Sequence, residues 1–85
     1  MNYKVILSRE AVKTLDKVDR TLEIRMQNPM RLLENEPVRS GKAVKSMQGL
    51  RSLRVGDWRI LYTISADNNT VCVLAIRPRG SAYRI

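Results

Sequence analysis

The sequence predicts an α+β domain, with an N-terminal strand and a two-helix hairpin packed on one face of a small antiparallel β-sheet. Two observations carry the prediction. Apolar residues recur at helical spacing through the N-terminal half. Beyond them come three short runs rich in β-branched, aromatic and aliphatic residues, two of which meet at Gly56-Asp57.

Tyr3–Ser8 reads as the first strand. Ser8 can cap a helix by accepting an orphan amide hydrogen bond, and Ala11, Val12, Leu15 and Val18 then recur on one side over about residues 9–17. Asp19 can cap a second helix whose stripe is Leu22, Met26, Met30 and Leu33, with Ile24 and Leu32 at its edges. Pro29 interrupts that stripe. Either one helix kinks there, or Asn28 caps a new helix with Pro29 in its first turn; the kinked helix is the expectation. Glu36-Pro37 ends it, and Arg39–Ala43 reads as an exposed connector.

A two-residue turn with glycine first suits two antiparallel strands. Pairing Leu50–Val55 with Trp58–Ser65 across Gly56-Asp57 sets Val55 against Trp58, Arg54 against Arg59, Leu53 against Ile60 and Arg51 against Tyr62. Side chains alternate between faces, so one face collects Leu53, Val55, Trp58, Ile60 and Tyr62. The other collects Ser52, Arg54 and Arg59, with Leu61 beside them. Ala66–Asn69 is a polar turn, and Thr70–Ile76 is a third strand that brings Val71, Val73 and Ala75 onto the apolar face against Ile64, Tyr62 and Ile60. Cys72 falls on the opposite face as a small packed side chain, and Pro78 stops the strand.

Composition bounds the chemistry. Eighty-five residues make a single domain, 1–85, with one modest core. No apolar run approaches a membrane span, and the N-terminal apolar segment is too short for a secretory signal, so a cytoplasmic protein is expected. One cysteine excludes an internal disulfide. The chain has no histidine, which removes the usual zinc sites and histidine acid–base catalysis. No metal is expected either, because Asp57 and Asp67 are turn residues outside any carboxylate cluster, and no other cofactor is implied.

The charge is +8, and it is uneven: residues 45–85 hold seven basic side chains, six of them arginines, against two acids. Arg54 opposite Arg59 on one face is repulsive. Such a pair either awaits an anion between two guanidinium forks or splays apart on a solvated face. Arg54, Arg59, Arg77, Arg79 and Tyr83 could gather near the strand ends, with Arg51, Ser52 and Lys45 as further contacts. Guanidinium groups on phosphates beside a stacking ring resemble a single-stranded RNA site. Within RNA the 2′-hydroxyl is a built-in nucleophile, leaving the protein to align it and stabilise a crowded phosphate. The residues do not assign a base: arginine stays charged, Tyr83 could act or merely stack, and Lys42 and Lys45 are less well placed.

The run Gly41-Lys-Ala-Val-Lys-Ser-Met-Gln-Gly-Leu-Arg-Ser-Leu-Arg-Val-Gly-Asp-Trp-Arg-Ile-Leu-Tyr62, followed by Val73-Leu-Ala-Ile-Arg-Pro-Arg-Gly-Ser-Ala-Tyr83, resembles the RelE branch of the RelE/ParE toxin superfamily. The resemblance spans nearly the whole chain. It implies a toxin of a type II toxin–antitoxin system, neutralised by an acidic antitoxin encoded beside it. The RelE branch cuts messenger RNA in the ribosomal A site, whereas the ParE branch poisons DNA gyrase. By the resemblance, Arg59 is a mid-sheet phosphate-binding arginine, Arg79 stabilises the transition state and protonates the leaving group, and Tyr83 stacks on the cut nucleotide. Arg54 and Ser52 stand where the RelE branch carries lysines, one of them proposed as the base. The activity implied is a metal-independent endoribonuclease with the ribosome and messenger RNA as partners.

Overall fold

The chain alternates between elements that announce themselves locally and pairings that do not. A computed structural model describes residues 2–79. Its elements are β1 (Lys4–Leu7), α1 (Arg9–Lys17), α2 (Arg20–Asn35), α3 (Pro37–Ser40), β2 (Lys42–Ala43), β3 (Arg51–Val55), β4 (Trp58–Ser65) and β5 (Thr70–Pro78). Both predicted caps form: the Ser8 hydroxyl accepts from the Ala11 amide at 3.1 Å, and the Asp19 carboxylate from the Leu22 amide at 2.8 Å. Each satisfies an otherwise orphaned helix donor. Helix α2 runs unbroken through Pro29, so no second helix starts at Asn28. The Glu36-Pro37 stop instead opens the single turn of α3, with proline in its favoured first position.

The sheet has five strands in the order β1-β5-β4-β3-β2. It is mixed: β1 lies parallel to β5 while the other neighbours are antiparallel. A parallel pair has no tight turn in the sequence to reveal it. The β3–β4 hairpin has the predicted register throughout, Val55 with Trp58 to Arg51 with Tyr62. Gly56, at φ 59°, takes the left-handed conformation that its turn position demands.

Strand β5 departs from expectation at one residue. Val71 and Val73 do oppose Ile64 and Tyr62, but a bulge near Leu74 then slips the register, so that Ala75 opposes Leu61 and Ile76 opposes Ile60. An extra residue in one strand reverses the facing of everything beyond it. The strand also continues to Pro78, which pairs with Trp58 rather than ending the sheet.

The main core lies between the helices and the inner sheet face: Ala11, Met26, Leu33, Ile60, Tyr62, Val71, Val73 and Ile76. Burying each of the larger side chains contributes roughly 1.5–3 kcal/mol. Val12, expected on the buried side of α1, stays exposed, as do Ile24 and Leu32 at the edges of the α2 stripe. The outer face is not uniformly open. Leu50, Leu61 and Ala75 form a second small core there, with Val44 and Met47 from the β2–β3 loop packed over it. Only the hairpin end of that face is left to the arginines. No helix among the described residues is long and apolar enough to cross a membrane.

Candidate anion-binding site

The alternation of β3, β4 and β5 sets three arginines in one transverse row. Arg54 pairs with Arg59, and Arg59 pairs with Arg77. Neighbours in such a row are about 5 Å apart at Cα, so three like charges stand closer than surface residues usually tolerate. Each is handled differently. Arg54 is exposed, donates from Nε to the Gly56 carbonyl at 3.2 Å, and forms no ion pair among the described residues. Arg59 is half-buried and points Nη1 at the Ser52 hydroxyl, 3.4 Å away. Arg77 is drawn off by Glu10 of α1 through a two-pronged contact, Nε–Oε2 2.9 Å and Nη2–Oε1 3.0 Å.

That contact pulls the Glu10 carboxyl below its usual range, chiefly by the hydrogen bonds from Arg77. A carboxylate with a depressed folded-state pKa stabilises the protein above its unfolded value and loses that contribution as pH falls through the folded one. The Glu10 side chain is 48% exposed, so solvent screening limits the pair to about 0.5–1 kcal/mol. Glu10→Gln is therefore expected to lower the melting temperature by a few degrees at pH 7 and progressively less as the pH is taken down through the lowered folded-state value. Thermal melts across that range check it; an equal loss at both ends would mean that packing, not charge, is responsible.

Around Arg54 and Arg59 the sheet edge opens. Strand β2 covers only Arg51 and Ser52, so among the described residues Leu53–Val55 have no strand neighbour on that side. The resulting cleft, about 510 Å³, is lined by Ser40–Ala43, Ser52, Leu53, Arg54 and Arg59, with no acid among them. A larger cavity of about 680 Å³ lies between the helices and Trp58, Ile76 and Pro78, and contains the Glu10–Arg77 pair. It is mostly apolar, whereas the smaller cleft is lined by two arginines and a lysine with no acid.

The remaining expected residues are scattered around this cleft. Arg79 is exposed, and its amide donates to the Asp57 carbonyl at 2.7 Å, which ties it to the turn between Arg54 and Arg59. Ser52 is buried beneath Arg59. Arg51 is on the inner face opposite Tyr62, where Nη2 bonds the Val38 carbonyl at 2.5 Å and the Gly41 carbonyl at 2.9 Å. Its guanidinium anchors the α3–β2 connector rather than facing the cleft. Lys45 is exposed on the loop beyond β2 and does not line the cleft. Tyr83 lies outside the described residues. Lys42, which the sequence places less well, lines the cleft; a two-residue edge strand leaves almost no pattern to read.

Known proteins share both sequence and fold with this chain. A family profile for the ParE toxin of type II toxin–antitoxin systems matches residues 5–83. Toxin RelG of Mycobacterium tuberculosis is 33% identical over 86 aligned positions, covering 99% of each chain. Toxin RelE of the same organism is 37% identical over 54 residues, covering 62% of this chain and 56% of that one, little more than half its length. The toxin–antitoxin complex RelBE2 from M. tuberculosis superposes with a TM-score of 0.79 at 30% identity, covering 93% of this chain and 100% of that chain. The isolated E. coli RelE toxin superposes at 0.75 over 89% of this chain and 83% of its own, but at 16% identity it attests the fold alone. With a profile that spans almost every residue and an end-to-end relative, the chain belongs to the RelE/ParE family of type II toxin–antitoxin toxins.

Proposed function

We propose that the protein is a ribosome-dependent endoribonuclease that cleaves messenger RNA without a metal, by attack of a 2′-hydroxyl on its own phosphate. One observation supports this above the rest: Arg54 and Arg59 oppose each other in register beside an acid-free cleft, with Arg79 tied to the same turn. In the reaction the 2′-oxygen bonds to phosphorus as its proton departs, and the P–O5′ bond breaks as the 5′-oxygen takes up a proton. The products are a 2′,3′-cyclic phosphate and a 5′-hydroxyl. Arg54 and Arg59 hold the charge that builds on the phosphate, Arg79 lies toward the leaving oxygen, and Tyr83 stacks on the base. Fixed cations act mainly by charge stabilisation, and the chain holds no histidine to shuttle protons. A cutter of that kind gains most from a ribosome that aligns the RNA for it.

An acidic antitoxin covering the basic face follows from charge complementarity. Related toxins of this fold have been crystallised with RelB partners. A second reading, gyrase inhibition without hydrolysis, is favoured by the ParE profile match. Induced expression with RNA end-mapping separates the two. The expected result is cuts inside codons that disappear in Arg79→Ala; intact transcripts with DNA supercoiling blocked would favour gyrase.

A further inference from the structure

We infer that Lys42, on the edge strand β2, is a further phosphate-binding residue of the cleft, completing a three-cation seat with Arg54 and Arg59. Lys42 pairs with Ser52, and Ser52 shares a sheet face with Arg54 and Arg59. All four line the same cleft. Strand geometry puts the Lys42 and Arg54 Cα atoms about 8 Å apart, one strand over and two residues along. Two long side chains converge across that gap on a single phosphate, or on two neighbouring ones.

The backbone that carries Lys42 is held in place. Arg51 bonds the carbonyls of Val38 and Gly41, and the Tyr62 hydroxyl donates to the Pro37 carbonyl at 2.7 Å, so the chain entering β2 is pinned at three carbonyls within five residues. The lysine stem therefore starts from a fixed point. Among the described residues no carboxylate pairs with it; Glu36 pairs with Arg39 and Glu10 with Arg77. The two arginines offer planar forks, whereas the ammonium is a compact charge on a flexible stem. Arginine forks fix orientation, and the lysine follows the phosphate as the geometry changes. Lysine on an edge strand can also serve only to discourage pairing with another sheet. That role predicts no effect on anion affinity.

The inference rests on the arginine site of the proposed nuclease, but not on which molecule carries the phosphate. The test uses the isotope-labelled full chain, titrated first with sodium pyrophosphate and then with a short single-stranded RNA over a range of salt. Pyrophosphate is expected to shift the amide signals of Lys42, Ser52, Arg54 and Arg59 together. Lys42→Gln should weaken its binding roughly tenfold, the scale of one charge-assisted hydrogen bond. The salt slope for RNA should become shallower by about 0.7, as for one lost single-strand phosphate contact. Lys42→Arg should keep both. Unchanged affinity and slope in Lys42→Gln, or the absence of saturable pyrophosphate binding at the cleft, would overturn the inference. Lys42-dependent binding of pyrophosphate without RNA cuts in translation extracts would instead uphold the seat and sink the nuclease.

Discussion

Arg59→Gln is expected to slow RNA cleavage about a hundredfold or more while moving the melting temperature by less than about 5 °C. The two halves of that expectation come from the same fact. Arg59 lies between Arg54 and Arg77 in one row, so its charge meets like charges across the sheet, and under the proposed reaction it meets a phosphate. Removing it gives up contacts that include the long 3.4 Å one to Ser52, with some buried stem, and relieves repulsion worth a few tenths of a kcal/mol to about 1. Glutamine keeps the first part of the stem and a hydrogen-bonding end group. The transition state gains no such compensation, because an extra negative charge develops there with one fork fewer to meet it. Primer extension on a defined messenger in a translation extract gives the rate, and a thermal melt gives the stability. Cleavage at the wild-type rate would remove Arg59 from the chemistry. A large drop in melting temperature would make it a structural residue.

How much of this was legible in the sequence depended on how local the signal was. The caps at Ser8 and Asp19 and the glycine turn at Gly56 each involve contacts within three residues, and each forms as read. The Arg54–Arg59 pairing followed from that turn, since a two-residue loop fixes the register of both strands. Errors began where long-range packing decides. Nothing near Leu74 marks a bulge, so Ala75 was assigned to the wrong face. Leu61 looked like a stray apolar residue beside the arginines, because its cover comes from Val44 and Met47, more than a dozen positions earlier. The same blind spot hid Lys42 and misread Arg51. Their surroundings are created by the α3–β2 connector closing against β3, and that closure is a tertiary event.

Gly41 is where the closure is most exposed to mutation. Its φ of −121° is open to any residue, so glycine is there for space and not for conformational freedom. A Cβ at this position would overlap the Tyr62 hydroxyl and lie 2.7 Å from the Ser52 carbonyl. Gly41→Ala must therefore push β2 away from β3 or displace the buried Tyr62 ring, which donates to Pro37. Overpacking costs about 1–3 kcal/mol, and a displaced hydroxyl leaves a buried carbonyl unsatisfied at a further cost of about 1–3 kcal/mol. The expected loss is about 2–6 kcal/mol, enough to lower the melting temperature by roughly 10–40 °C in a domain of this size. Tyr62→Phe alone should cost about 1–2 kcal/mol, since it removes the bond but keeps the ring. In the double variant the alanine no longer meets a hydroxyl, so the two losses should sum to less than their separate values by about 1 kcal/mol. The rescue stays partial, because the Ser52 carbonyl is still in the way. Denaturant unfolding of the three variants measures the coupling. Strict additivity would mean that Gly41 and Tyr62 act independently, and that something other than their contact holds the wall of the anion cleft in place.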